Sequence, residues 1–135
     1  SIPGGLFFLG DGHAVQGDGE ISGNGVEVSA HVTFELSLIK QYPMGWPRLI
    51  DAMGIATIGN ARPLDQATQH ATTEMLRWLC QDFALDARGA SVWLQQTVRY
   101  EMGNIFDPAY TMACRLIREF LPAAATTSPL GELLG

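Results

Sequence analysis

The stretch LGDGHAVQGDGEISG, residues 9–23, sets acids, one imidazole and one carboxamide among glycines. Asp11 and His13 stand two residues apart. In an extended segment, residues i and i+2 point to the same side, so both side chains can reach one point. A carboxylate and an imidazole that converge make a divalent-metal site once further ligands join them. Asp18 and Glu20 repeat the spacing. Two carboxylates on one face ionise together only when a cation or hydrogen-bond donors lie between them. Glycines at 10, 12, 17 and 19 let a ligand or another backbone approach closely. A simpler reading competes with this one: Asp-Gly pairs are common hairpin signals, and acids at turns bond their own backbone.

Other chemistries fit less well. A phosphate loop wants a lysine or a helix start with free N–H groups, and here acids surround the glycines. An EF-hand ends its ligand ladder in glutamate at the twelfth position, which counted from Asp11 is Ser22. No nucleophile elbow accompanies the serines and histidines. A serine at a freed chain start can act as a nucleophile with its own amine as base, so Ser1 is a separate candidate.

The elements that must position these groups follow from periodicity. GLFFL, residues 5–9, reads as a short buried strand. Residues 26–38 alternate strictly, with Val26, Val28, Ala30, Val32, Phe34, Leu36 and Leu38 on one face. Glu27, Ser29, His31, Thr33, Glu35 and Ser37 lie on the other, which predicts a long half-buried strand with a solvated outer face. Prolines 43 and 47 break the pattern, and a further strand is expected near 50–58. Pro63 and Asp65 open a helix whose stripe is Ala67, Ala71, Met75, Leu79 and Phe83. Asp86 caps a second helix with Ala87, Ala90, Leu94 and Val98 inward. A third helix is expected over 108–121, with Met112, Leu116 and Phe120 inward. His70 reads as a helix-surface residue, and Asn24 and Asn104 as turn formers. Strands first and helices second predict an α+β fold, helices on one side of a mostly antiparallel sheet. Residues 1–135 form a single domain, with 122–135 as a tail.

Composition narrows the functions. With 135 residues, 47% of them hydrophobic, the chain can build a real core. A net charge of -6 repels a phosphate backbone and argues against nucleic-acid binding. No apolar run approaches the ~20 residues that span a bilayer, and no basic, cleavable leader opens the chain. Cys80 and Cys114 read as buried free thiols of a reducing, cytoplasmic compartment.

The segment PGGLFFLGDGHAVQGDGEISGNGVE resembles the signature of the acetamidase/formamidase family, through PGGLF, GDGHA, QGDGE and the following SG. WPR at 46–48, the helix with EMLRWL, and MGNIFDPAYTMACRLIREFLP are similar to the family's C-terminal part. After Arg48 come Leu49 and Ile50, where the family tends to carry an acid. The resemblance implies a β-rich, sandwich-like portion followed by a helical C-terminal half packed on a sheet. It implies hydrolysis of small linear or cyclic amides (formamide, acetamide or lactam type) to a carboxylate and ammonia or an amine. It also implies a divalent metal, Zn²⁺ or Ca²⁺, at the glycine-aspartate loop. Family members are longer chains, so a second chain carrying the N-terminal half of the enzyme is expected as partner, within a hetero- and homo-oligomer.

With that chemistry in view, Asp11, His13 and Asp18 are the expected metal ligands, Asp18 alternatively orienting His13. Glu20 is the expected general base and acid, with His13 beside it in the catalytic set. Gln16 is expected to bind the substrate carbonyl. Two rivals stand beside the amidohydrolase: a non-catalytic subunit with metal-stabilised Gly-Asp turns, and a transferase or isomerase on the same scaffold.

Overall fold

Two short strands, β1 (His13–Val15) and β2 (Val26–Glu27), form an antiparallel pair near the start of the chain, in a computed structural model that describes residues 3–134. Ser1 lies outside the described residues. The main sheet contains β3 (Arg48–Asp51), β4 (Gly54–Ala61), β5 (Arg99–Asn104) and β6 (Tyr110–Ile117). Its spatial order is β3-β4-β6-β5, and every neighbouring pair is antiparallel. Between β4 and β5 run α1 (Leu64–Asp82) and α2 (Ala87–Thr97), and a last helical turn, α3, covers Gly131–Leu134. The fold is α+β, as expected, but the order of strands first and helices second does not hold, since β5 and β6 follow α2 and the C-terminal half is not purely helical.

Pro63 precedes the first turn of α1 with extended backbone, and Asp65 sits in that turn, where a negative charge suits the helix dipole. The predicted stripe of Ala67, Ala71, Met75 and Leu79 is buried, and it continues to Phe83 just past the helix end. α1 lies against β4 at Gly59. A Cβ there would come within 2.1 Å of the Ala67 carbonyl oxygen, so only glycine lets the helix approach this closely. Asp86 caps α2 as expected, accepting from the Gly89 N–H at 2.6 Å. Ile55, Cys114 and Leu116 of the sheet close the core against Met75, Trp78, Leu79, Ala90 and Leu94. From residues 122–134, Ala124, Leu130 and Leu134 pack on the same cluster.

A buried polar cluster joins β3, α1 and the coil before β3. Arg48 donates from Nε to Glu74 at 2.8 Å and from Nη1 to the Tyr42 hydroxyl at 2.8 Å. Both Nη atoms reach Gln81 Oε1 at 3.1 Å. Its guanidinium stacks over the Tyr42 and Trp78 rings, and Tyr42 donates in turn to Asp82. Burial and that bond to a carboxylate push the Tyr42 hydroxyl up to about 12, although the Arg48 charge opposes the shift. Arg48 thus finds its acids on α1 rather than beside it in sequence.

Four expectations are corrected. Residues 108–121 do not form a helix: β6 is a central strand, and β5 was not anticipated. Met112 and Leu116 are four apart, a spacing that places two residues on one face of a helix and of a strand alike. Cys114, between them, is buried on that same face. Residues 5–9 form no strand, and Leu6 and Phe8 are 81% and 82% exposed. Of residues 26–38, only Val26–Glu27 pairs as a strand. From Val28 to Leu38 the large apolar residues are exposed, because alternation alone cannot supply the partner strand that a ladder requires. Cys114 is buried as expected; Cys80 is exposed, and both are free thiols.

The consequence is measurable in area. The chain exposes 9293 Å². A compact monomer of its mass exposes about 6,900 Å². In the ribbon formed by 5–9 and 26–38 the large apolar side chains are exposed, and the Phe7 and Phe34 rings meet at 5.0 Å.

Two outcomes follow for stability. Glu74→Ala removes the main partner of a buried guanidinium and should cost about 3–5 kcal/mol in urea unfolding. Arg77→Ala, which removes an exposed partner of the same carboxylate, should cost less than about 1 kcal/mol. Desolvation pushes Asp51 upward, but hydrogen bonds from Arg115 and from the Met53 and Gly54 N–H groups win and hold it below the usual carboxylate range. A depressed carboxylate stabilises above its unfolded pKa and loses that contribution as pH falls through its folded one. Asp51→Asn should therefore flatten the acid limb of the stability–pH curve.

Candidate active site at the glycine-aspartate loop

β1 carries His13, and the register of the first strand pair places Glu27 directly opposite it. Cross-strand partners lie about 4.5–5.5 Å apart at Cβ, so the two side chains share one face. Ligand atoms of Asp11, His13 and Glu27 all lie within 4.8 Å of one another. Periodicity puts Glu27 on a solvated outer face, and only the strand register reveals it. Asp18 is exposed at the start of the 3-10 turn Asp18–Glu20 and stands outside this group.

The imidazole is held from several sides. Gln16 donates from Nε2 to the Gly103 carbonyl at 2.9 Å, which turns its Oε1 toward His13 Nδ1 at 2.8 Å. Nδ1 therefore carries a proton, and Nε2 faces Asp11 Oδ1 at 3.3 Å. A bare lone pair facing a carboxylate is repulsive, so the arrangement asks for a proton or a cation at that point. The Gln16 bond and the negative charges of Asp11 and Glu20 push His13 above the ordinary histidine value, against partial desolvation. Gly25 backs the ring: a Cβ there would fall 1.9 Å from Nδ1.

Glu20 ends the 3-10 turn. Its Oε1 lies 3.8 Å from His13 Nδ1, and its Oε2 accepts from Asn104 Nδ2 at 2.8 Å. The Ile105 N–H donates to the Gly19 carbonyl at 2.8 Å. Asp11 and Glu20 have φ of 57° and 44°, in the left-handed region that non-glycine residues rarely adopt. Such strain costs about 1–3 kcal/mol at a residue and gathers where surrounding contacts hold it.

The loop brings together Asp11, His13, Gln16 and Glu20, adds Glu27 and Asn104, and leaves Asp18 aside. The chemistry of this set is that of a site for a divalent cation or a proton beside an anchored carboxylate. His31 is exposed, and His70 stacks on Trp46 with ring centroids 4.5 Å apart, away from this group.

Comparison with known proteins gives the class. A model of the Acetamidase/Formamidase family matches residues 1–105, and the chain belongs to that family. No curated protein matches it. Among solved structures it is similar to an acetamidase from Yersinia enterocolitica, at 41% identity and a TM-score of 0.75, covering 79% of this chain and 32% of that one. A predicted acetamidase/formamidase from Thermoanaerobacter tengcongensis matches at 30% identity and a TM-score of 0.73, covering 81% and 36%. An acetamidase from Bacillus halodurans matches at 30% identity and 0.71, covering 80% and 37%. The chain spans about a third of the length of these structures.

Gly25→Ala tests the geometry without touching a ligand. On the reading that Asp11, His13 and Glu27 hold a cation, the new methyl must displace the His13 ring, and Zn²⁺ bound per chain in equilibrium dialysis should fall toward the level of His13→Ala. Retention of the parent stoichiometry would show that the ring position does not matter.

Proposed function

We propose that this chain is one subunit of an amidohydrolase that cleaves the C–N bond of small linear or cyclic amides to a carboxylate and ammonia or an amine. The single observation that carries the proposal is His13 Nε2 facing the Asp11 carboxylate, with Glu20 poised beside the same ring, in a chain of the Acetamidase/Formamidase family. Acetamidases among the similar structures support the amide as substrate.

Asp11, His13 and Glu27 would hold a divalent cation. Their mixed oxygen and nitrogen donors suit Zn²⁺, and Ca²⁺ if further oxygens join. When bound, such an ion acidifies water and polarises a carbonyl. Glu20, whose Oε1 lies at the Nδ1 edge of the ring, would take the proton from the attacking water and return it to the departing nitrogen. Gln16 keeps His13 in the Nδ1–H tautomer, so that Nε2 is free to serve as a donor to the cation.

The rest of the site comes from a second chain, carrying the N-terminal half of the enzyme. Two facts support this partner. The similar structures are about three times as long as the share matched here. The chain exposes an apolar ribbon, and its excess surface of roughly 2,400 Å² over a compact monomer is on the scale that permanent partners bury. Free thiols at Cys80 and Cys114 agree with a cytoplasmic location. Among the described residues, no helix is long and apolar enough to cross a membrane.

Ammonia release from formamide and acetamide, measured on this chain co-expressed with the N-terminal half of a family enzyme, tests the proposal. Glu20→Gln should lower kcat by about 10²–10⁴-fold with an unchanged Tm; a near-normal rate removes Glu20 from the mechanism. EDTA should abolish activity, whereas a loss of Tm alone would favour metal-stabilised turns in a non-catalytic subunit. Full activity from the lone 135-residue species contradicts the second chain.

A further inference from the structure

Asn104 ends β5, 84 residues from Glu20 in sequence, and it is 8% exposed. Its carboxamide uses every hydrogen-bonding position it has. Oδ1 accepts from the Phe106 and Asp107 N–H groups, each at 2.9 Å. Nδ2 donates to Glu20 Oε2 and to Asp107 Oδ2, each at 2.8 Å. The orientation is unambiguous. Two backbone N–H groups can meet only the oxygen, so the nitrogen must face the two carboxylates.

We infer that Asn104 is the positioning residue for the Glu20 carboxylate, anchoring Oε2 so that Oε1 is the oxygen that exchanges protons with water and the leaving nitrogen. This rests on the amidohydrolase proposal above and names the group that makes its base directional. A carboxylate on a free side chain samples many rotamers, and an acid–base group must lie within hydrogen-bond reach of its proton in a fixed geometry. Glu20 gains that geometry from two sources. Its backbone is held in the left-handed region at the end of the 3-10 turn, and its Oε2 is tied to Asn104. A neutral amide fixes a carboxylate without pairing it to a cation. The turn 104–107 holds the amide rigid, because the same side chain closes that turn. The neighbours of Asn104 add two bonds to the same loop: the Gly103 carbonyl accepts from Gln16 Nε2, and the Ile105 N–H donates to the Gly19 carbonyl. Gly103, Asn104 and Ile105 thus grip three loop positions in succession, and only the central grip is made by a side chain to a reacting group.

Asn104→Asp separates positioning from turn formation. It keeps an oxygen for the Phe106 and Asp107 N–H groups, which close the turn, and removes the donor to Glu20 Oε2 and to Asp107 Oδ2. In the co-expressed enzyme, kcat for acetamide should fall about 10–100-fold while KM stays within twofold, the usual size for loss of a supporting hydrogen bond. A kcat within twofold of the parent, together with a low kcat in Asn104→Ala, would make Asn104 a turn former only and overturn the inference. So would a KM effect with kcat unchanged. A second readout needs no turnover. In protein labelled with ¹⁵N-asparagine, Glu20→Ala should shift the Asn104 side-chain amide signals and leave those of Asn24 and Asn60 in place; unmoved Asn104 signals overturn the inference. If the parent enzyme releases no ammonia, the amidohydrolase proposal fails, and the amide signals alone decide whether Asn104 holds Glu20.

Discussion

Three hydrogen bonds fasten the glycine-aspartate loop to the far end of β5, and they hold Gln16 and Glu20 beside the His13 ring. Gln16 reaches the Gly103 carbonyl, Ile105 reaches the Gly19 carbonyl, and Asn104 reaches Glu20. The loop has little apolar cover of its own, since its residues are small, charged or exposed. Its glycines make it pliable, and pliable backbone loses more entropy when it is fixed. The seam supplies what the loop lacks by borrowing rigidity from a strand paired along its length with β6. β6 in turn is paired with β4, and β4 carries α1 at Gly59. The order in the core is thereby passed to a segment that has almost no core.

Much of this was legible in the residues. The types and spacings at 11, 13, 16, 18 and 20 pointed to one place, and four of those side chains gather there while Asp18 stands apart. The stripe of α1 and the cap of α2 were readable because each rests on local rules: a 3.6-residue period and an aspartate before a helical run. What escaped was set by distant contacts. Glu27 joins His13 through a strand register that its own alternation cannot reveal. Asn104 looked like a turn former, and it is one, but its second role depends on a loop 84 residues earlier. The segment 108–121 was misread because a four-residue spacing satisfies both periodicities, and only burial between β4 and β5 decides the matter.

The long alternation of 26–38 teaches the opposite lesson. Its pattern is that of a strand, and among the described residues it has no ladder beyond the first pair, apart from a bond between Val28 and Gly12. The buried Arg48 cluster shows the contrast within one molecule. There an arginine, two α1 acids, a glutamine and a tyrosine bond to one another and join the coil to the helix, with Asp82 Oδ1 buried and without a hydrogen-bond partner. Polar groups found partners inside this chain, while a row of apolar ones did not.

That uncovered row sets a clock on every newly made copy. Exposed valines and leucines beside unpaired backbone invite edge-to-edge association with whatever strand arrives first, another copy included. Pairing between proteins proceeds at about 10⁵–10⁷ M⁻¹s⁻¹, so at micromolar concentration an encounter takes about 0.1–10 seconds. Aggregation is also second order. Under the proposal of a second chain, balanced synthesis, rather than affinity, would govern how many copies are covered before they meet one another.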